Sequence, residues 1–81
     1  MNESIYKAIA VLAEHLFNNG ETMKFSILAN RLSGFFGENF CDGRAIASRV
    51  KGAYFYFEGN EKVQNYIAEV FVNEKGEHAY E

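Results

Sequence analysis

The residues with the clearest capacity for specific chemistry lie close together near the middle of the chain. Arg44, Ser48 and Lys51 recur at spacings of four and three, so a helix would place them on one face, with Arg49 beside them. An arginine can make two parallel hydrogen bonds to a guanine base, and a lysine suits a phosphate. These four residues form a candidate surface for binding a nucleic acid.

Positive charge is concentrated in the same part of the sequence. The formal net charge is −3, yet residues 24–51 contain five basic and two acidic side chains, which gives +3 and leaves −6 for the rest. Such an asymmetry can give an acidic protein one positive face, as a polyanionic ligand requires. The alternative is that these charges only solvate helix surfaces.

Other chemistry finds little support in the sequence. One cysteine, Cys41, and two distant histidines, His15 and His78, do not form a zinc-binding pattern, and a lone cysteine among aromatic residues is usually a buried apolar residue. The segment from Gly34 to Gly37 is not a phosphate-binding loop, because phenylalanines fill it and no Gly-Lys-Ser follows. We therefore expect no enzymatic activity, no metal and no cofactor.

Two helices are predicted in the first half of the chain. The first covers about residues 3–18, because apolar residues recur there at helical spacing, and Asn18-Asn19-Gly20 ends it. After a short linker or strand at residues 21–25, Ser26 is expected to cap a second helix that Gly34 ends. Residues 35–41 are then expected to fold back onto the core as a phenylalanine-rich turn. The apolar positions of the first helix are Ile5, Ile9, Leu12 and Leu16.

A third helix is predicted to follow Asp42, its expected cap, and to end near residues 58–59. Phe55 and Tyr56 cannot share the buried face, because successive helical residues point about 100° apart. We expect this exposed pair to mark an interface, either for homodimerisation or for a protein partner. Gly52 costs helix stability and is expected to permit a close approach. The predicted buried face consists of Ile46, Val50, Ala53, Tyr54 and Phe57.

The last third of the chain combines a short helix with a β-hairpin. Residues 60–67 are expected to form a fourth helix, and residues 69–72 a strand. Residues 73–76 would form a turn in which Gly76 supplies a positive φ, and residues 77–80 would return as a second strand.

This order resembles the winged helix-turn-helix superfamily. The residues that carry the resemblance are 25–32 for the second helix, 43–50 for the third and 70–80 for the hairpin. The resemblance implies one mainly α domain over residues 1–81, with three to four helices and a small β-hairpin. It also implies that the third helix enters the major groove, that Lys24 and Arg31 hold the flanking DNA backbone, and that Lys75 reaches an adjacent groove.

The leading hypothesis is therefore the DNA-binding module of a small bacterial or phage regulator. The alternative is a protein-binding inhibitor or adaptor encoded by a mobile element, which would use the exposed aromatic pair and an acidic face including Glu58, Glu61 and Glu69. A third reading is a purely structural oligomerisation domain. We expect a cytoplasmic location, because no apolar run of about 18 residues and no secretory leader are evident. No small-molecule substrate is indicated.

Overall fold

A computed structural model describes residues 2–37 and 43–78 of the chain. Within these residues the protein is mainly helical, as predicted, and it contains a small two-stranded parallel sheet. The elements in chain order are α1 (Asn2–Asn18), β1 (Met23–Lys24), α2 (Phe25–Phe36), α3 (Gly43–Tyr56), α4 (Glu61–Val70) and β2 (Phe71–Val72). None of the helices in the described part of the chain has the length and apolar character needed to cross a membrane.

The first helix forms because its apolar residues follow the helical period. Its buried positions pack against α3 and α4, while Leu12 is only partly buried. On the exposed side, Lys7 Nζ lies 3.0 Å from Glu3 Oε1, one helical turn away. The helix ends before Gly20, which adopts a φ of 68°. The predicted helix at residues 3–18 is thus confirmed, with Ile5, Ile9, Ala13 and Leu16 as its buried residues.

The predicted boundaries of the second helix are wrong at both ends. The helix begins at Phe25 after an extended Lys24 and has no side-chain cap, so Ser26 lies inside it. Gly34 does not end it, because the apolar period continues from Leu32 to a half-buried Phe36. The stop is Gly37, whose φ of 72° turns its N–H toward the carbonyl of Ser33 at 2.9 Å. The expected cap Asp42 and the rest of the phenylalanine-rich turn lie outside the described residues.

The third helix has the predicted buried face. Ile46, Val50 and Ala53 are fully buried, and Tyr54 and Phe57 pack partly against the same core. Gly52 allows the close approach that was predicted: a Cβ placed on it would lie 2.5 Å from the hydroxyl oxygen of Tyr6 on α1. This glycine therefore lets α3 pack directly against an aromatic ring of α1.

The fourth helix extends three residues further than predicted. Asn60 caps it by accepting a hydrogen bond from the N–H of Val63 at 3.3 Å. The buried positions Tyr66, Ile67 and Val70 continue the helical period, so the segment assigned to a strand from residue 69 is helical up to Val70. Burial against α1 decides this local ambiguity in favour of the helix.

The predicted β-hairpin is only partly present in the described residues. β2 pairs in parallel with β1, with Met23 opposite Phe71 and Lys24 opposite Val72. This long-range pairing places both Met23 and Phe71 in the core. Antiparallel pairing with the returning segment is described at one position, Val72 opposite His78. The paired part of the sheet therefore differs from a simple hairpin.

A tight turn joins β2 to this antiparallel bridge. Asn73 Oδ1 accepts hydrogen bonds from the backbone N–H groups of Lys75 and Glu77, each at 2.9 Å. Its amide group also donates to the Glu77 carboxylate at 2.8 Å. Gly76 has a φ of 83°, as predicted for this turn.

Candidate nucleic-acid interface

The exposed face of α3 consists of the residues that lie opposite its buried apolar face. Ser48, Lys51 and Phe55 are exposed and recur at spacings of three and four, opposite the buried Ile46 and Val50. Arg44 lies in the first turn of α3, four residues before Ser48, so it occupies the same stripe of positions. The sequence-based placement of Ser48 and Lys51 on an exposed face is confirmed.

Arg49 lies closer to the core than its neighbours on this face. The residue is half-buried and its Nε atom is buried. The sequence placed it beside the stripe and gave no sign of this burial. A half-buried arginine whose Nε is buried has fewer N–H donors available to a base than a fully exposed one. Arg49 therefore suits a supporting position at the edge of the surface.

The second and third helices carry basic residues and no acidic ones. Among the described residues from Lys24 to Gly37 and from Gly43 to Tyr56 there is no Asp or Glu. Lys24 and Arg31 are exposed, and α2 packs against α3. In the sequence, Glu21 and Glu58 lie outside these two stretches, and Glu38 and Asp42 lie between them, outside the described residues. The five basic residues are Lys24, Arg31, Arg44, Arg49 and Lys51.

Lys75 lies in a different part of the fold from α3. It is exposed in the turn after β2, and its own N–H is held by Asn73. Two exposed glutamates, Glu74 and Glu77, flank it and reduce the local positive charge. β2 does pair with β1, which brings Val72 opposite Lys24. If Lys75 contacts a nucleic acid, it does so from the turn next to the β1–β2 sheet and not from α3.

The exposed aromatic pair at the end of α3 is also where the sequence predicted it. Phe55 is 53% exposed and Tyr56 is 43% exposed. Their surroundings differ, because the ring of Tyr56 lies 5.5 Å from that of Tyr6 on α1, whereas Phe55 contacts Tyr54 edge-on at 5.3 Å. Phe55 is therefore the more available of the two for a partner.

Tyr56 also belongs to a small polar cluster with α1. The pKa of Tyr56 is raised. Desolvation is the largest cause, and the hydrogen bond to the Glu3 carboxylate is the next. Hydrogen bonds from Lys7 and then from Tyr56 lower the pKa of Glu3. The hydrogen bond and the negative charge of Glu3 raise the pKa of Lys7. This cluster ties the end of α3 to the start of α1.

A groove lies between α1 and α2 and was not predicted from the sequence. It has a volume of about 920 Å³ and is lined mainly by apolar side chains, with Lys7, His15 and Arg31 among its lining residues. Val11 is 69% exposed and Phe35 is 81% exposed. Val11 does not belong to the periodic buried positions of α1, and an apolar residue outside that pattern was the available signal.

The described residues contain no group of three or more metal-ligating side chains. Nδ1 of His78 lies 3.2 Å from the carbonyl oxygen of Ala68, and Nε2 of His15 lies 3.1 Å from Nδ2 of Asn19. Cys41 lies outside the described residues. No protein-family model, curated protein or solved structure matches this chain.

Proposed function

We propose that this protein binds double-stranded DNA through the exposed face of α3, as the DNA-binding module of a small bacterial or phage regulator. The observation that carries this proposal is the distribution of charge: α2 and α3 pack together, contain basic residues and contain no acidic ones. A positive surface of this kind attracts the phosphate backbone even when the whole protein is acidic.

The dimensions of α3 suit the major groove. Fourteen residues give a helix about 21 Å long, and a groove about 12 Å wide admits a helix lengthwise. Arg44 and Ser48 would face base edges, and Lys51 would contact a phosphate. Exposed Lys24 and Arg31 would hold the adjacent backbone, with Arg49 supporting the edge of the surface.

The order of elements supports the same proposal through its resemblance to winged helix-turn-helix domains. A helix, a short strand and two packed helices precede a turn held by Asn73. α4 is inserted before this turn, and β2 joins β1 in parallel. On this proposal Lys75 is a peripheral contact, since the turn that carries it is tied to β1 and not to α3.

Salt-dependent binding to a fluorescent duplex of mixed sequence tests the proposal. Each phosphate contact lowers the slope of log K against log salt concentration by about 0.9, so the Lys51→Ala variant should bind more weakly and lose about one unit of slope. Lys62→Ala removes an exposed lysine from α4 and serves as the matched control. Binding that is independent of salt, or that changes equally in both variants, would contradict the proposal.

The exposed aromatic pair favours a second candidate, a protein-binding inhibitor or adaptor encoded by a mobile element. Phe55 is half-exposed beside the exposed Glu58, which suits a partner with an apolar and basic surface. Charge reversal at Glu58, Glu61 and Glu69 should then abolish capture of the partner, whereas Lys51→Ala should not. Sedimentation of the Phe55→Ala variant separates this candidate from homodimerisation, which would be lost together with that side chain.

A further inference from the structure

A second surface of the molecule, formed by α1 and α2, shares Arg31 but no other residue with the proposed DNA contacts. The groove between α1 and α2 has an apolar lining that includes Ala8, Val11, Leu12 and Leu32, and Phe35 stands on its α2 side. On α1 the lining runs from Lys7 to His15, a rise of about 12 Å or slightly more than two helical turns. The groove is therefore long enough for a short helix.

Phe35 is the most exposed of the large apolar side chains in the described part of the chain, at 81%. Its ring lies 5.1 Å from the ring of Phe36, which is packed against the core. An exposed aromatic side chain supported in this way loses little conformational freedom on binding. Gly34, the residue before Phe35, has no neighbouring atom of the described residues within 4 Å of where its Cβ would be. No described side chain therefore narrows the groove at this position.

The charge of the groove selects the kind of occupant. Lys7, His15 and Arg31 are the charged or titratable residues among its described lining residues, and none of those residues is acidic. Lys7 is paired with Glu3, but both side chains are more than 60% exposed, so this pair can rearrange. An apolar strip bordered by basic side chains complements a helix with one apolar face and acidic flanks.

A second copy of this chain fits the groove less well. Each of the four described helices places its periodic apolar face in the domain core, and the large apolar side chains that stay exposed outside the groove, such as Ile27 and Phe55, lie on different helices. A twofold arrangement of two grooves would also bring their basic side chains together. We propose that the groove between α1 and α2 binds an acidic amphipathic helix of a different protein.

Two synthetic peptides of about 16 residues test this proposal. Both carry leucines at helical spacing, and their remaining positions are mostly glutamate in one and mostly lysine in the other. The glutamate peptide should bind the wild-type protein with a Kd below about 100 μM, and the lysine peptide at least about tenfold more weakly. Amide chemical shifts should change along α1 and α2.

Variants then test the site itself. Phe35→Ala and Val11→Glu alter exposed side chains and should each weaken binding of the glutamate peptide at least about tenfold. Ile27→Ala, which truncates an exposed apolar side chain of α2 outside the groove lining, should leave this binding unchanged and is the matched control.

Failure of both peptides to bind, equal binding of the two, or wild-type affinity in Phe35→Ala would overturn the proposal. Self-association of the wild-type protein that Phe35→Ala abolishes would also overturn it, because a second copy would then occupy the groove. DNA binding provides an independent readout, since Phe35 and Val11 are not among the proposed DNA contacts. Loss of peptide binding with retained DNA binding would assign these two side chains to the groove alone.

Discussion

Replacing Gly52 with alanine tests how closely α1 and α3 pack. The new Cβ would lie 2.5 Å from Tyr6 Oη and 2.7 Å from Tyr6 Cζ, whereas carbon atoms in favourable contact are about 3.5–4.0 Å apart. Both close contacts are with one partly buried ring, which also contacts Tyr56. Tyr6 must therefore move by about 1 Å and disturb that contact.

The expected magnitude follows from two opposing effects. Alanine is favoured over glycine inside a helix by about 1 kcal/mol, and overpacking typically costs about 1–3 kcal/mol. We expect Gly52→Ala to lower the free energy of unfolding by up to about 2 kcal/mol. Urea denaturation followed by circular dichroism measures this change, and each 1 kcal/mol corresponds to about 4–8 °C in Tm for a domain of this size.

Gly34→Ala is the matched control, because it lies in α2 and its new Cβ would have no neighbour within 4 Å. This variant should be stabilised by up to about 1 kcal/mol, the opposite sign. Removing the ring with Tyr6→Ala should also make Gly52→Ala stabilising, with a coupling of about 1–3 kcal/mol between the two positions. If Gly52→Ala stabilises the otherwise unchanged protein as much as Gly34→Ala does, Tyr6 does not restrict the space beside Gly52 as described.

Three further predictions concern the core, the turn and the polar cluster. Phe71→Ala should lower the free energy of unfolding by about 3–5 kcal/mol, because this side chain is 1% exposed. Phe35→Ala should change the free energy of unfolding by less than about 0.5 kcal/mol, because this side chain is largely exposed. Similar losses in the two variants would contradict the assignment of the core. Asn73→Ala should cost about 1 kcal/mol and speed hydrogen exchange of the two backbone amides that its Oδ1 holds, and unchanged exchange would argue against the turn. NMR titration of Glu3 should give a midpoint that is higher in Lys7→Met than in the wild-type protein, because the lysine lowers the pKa of this carboxyl. The stabilisation from Glu3 is present above its unfolded-state pKa and is lost as the pH falls through the lowered pKa of the folded state. Equal titration midpoints in the two proteins would exclude the pairing of Glu3 with Lys7.

Local patterns in the sequence were sufficient to predict the four helices of the described residues, but not where each of them ends. The apolar spacing of α1 and α3 reflects burial on one face, and each pattern extends over several turns. The end of α2 was not predictable in this way, because Gly34 and Gly37 offer equivalent local stops. The choice between them depends on whether Phe36 finds a place against the core, which is a tertiary effect.

The sheet and the surfaces depend still more on long-range packing. Met23 and Phe71 are almost fifty residues apart, and no local pattern specifies that their segments pair in parallel. The stripe that contains Ser48 and Lys51 was predictable because it is the complement of the buried face. The burial of Arg49 and the groove beside Phe35 depend on how helices are placed relative to one another, so they required the structure.

The proposed function depends on contact between the exposed face of α3 and duplex DNA. Amide chemical shifts of the isotopically labelled protein, followed during a titration with a short duplex at low salt, test it most directly. The largest changes should fall at Ser48, Lys51 and the neighbouring positions of α3, with smaller changes at Lys24 and Arg31. Changes confined to α4 and the turn at Asn73, or no changes at concentrations up to about 100 μM, would contradict the claim.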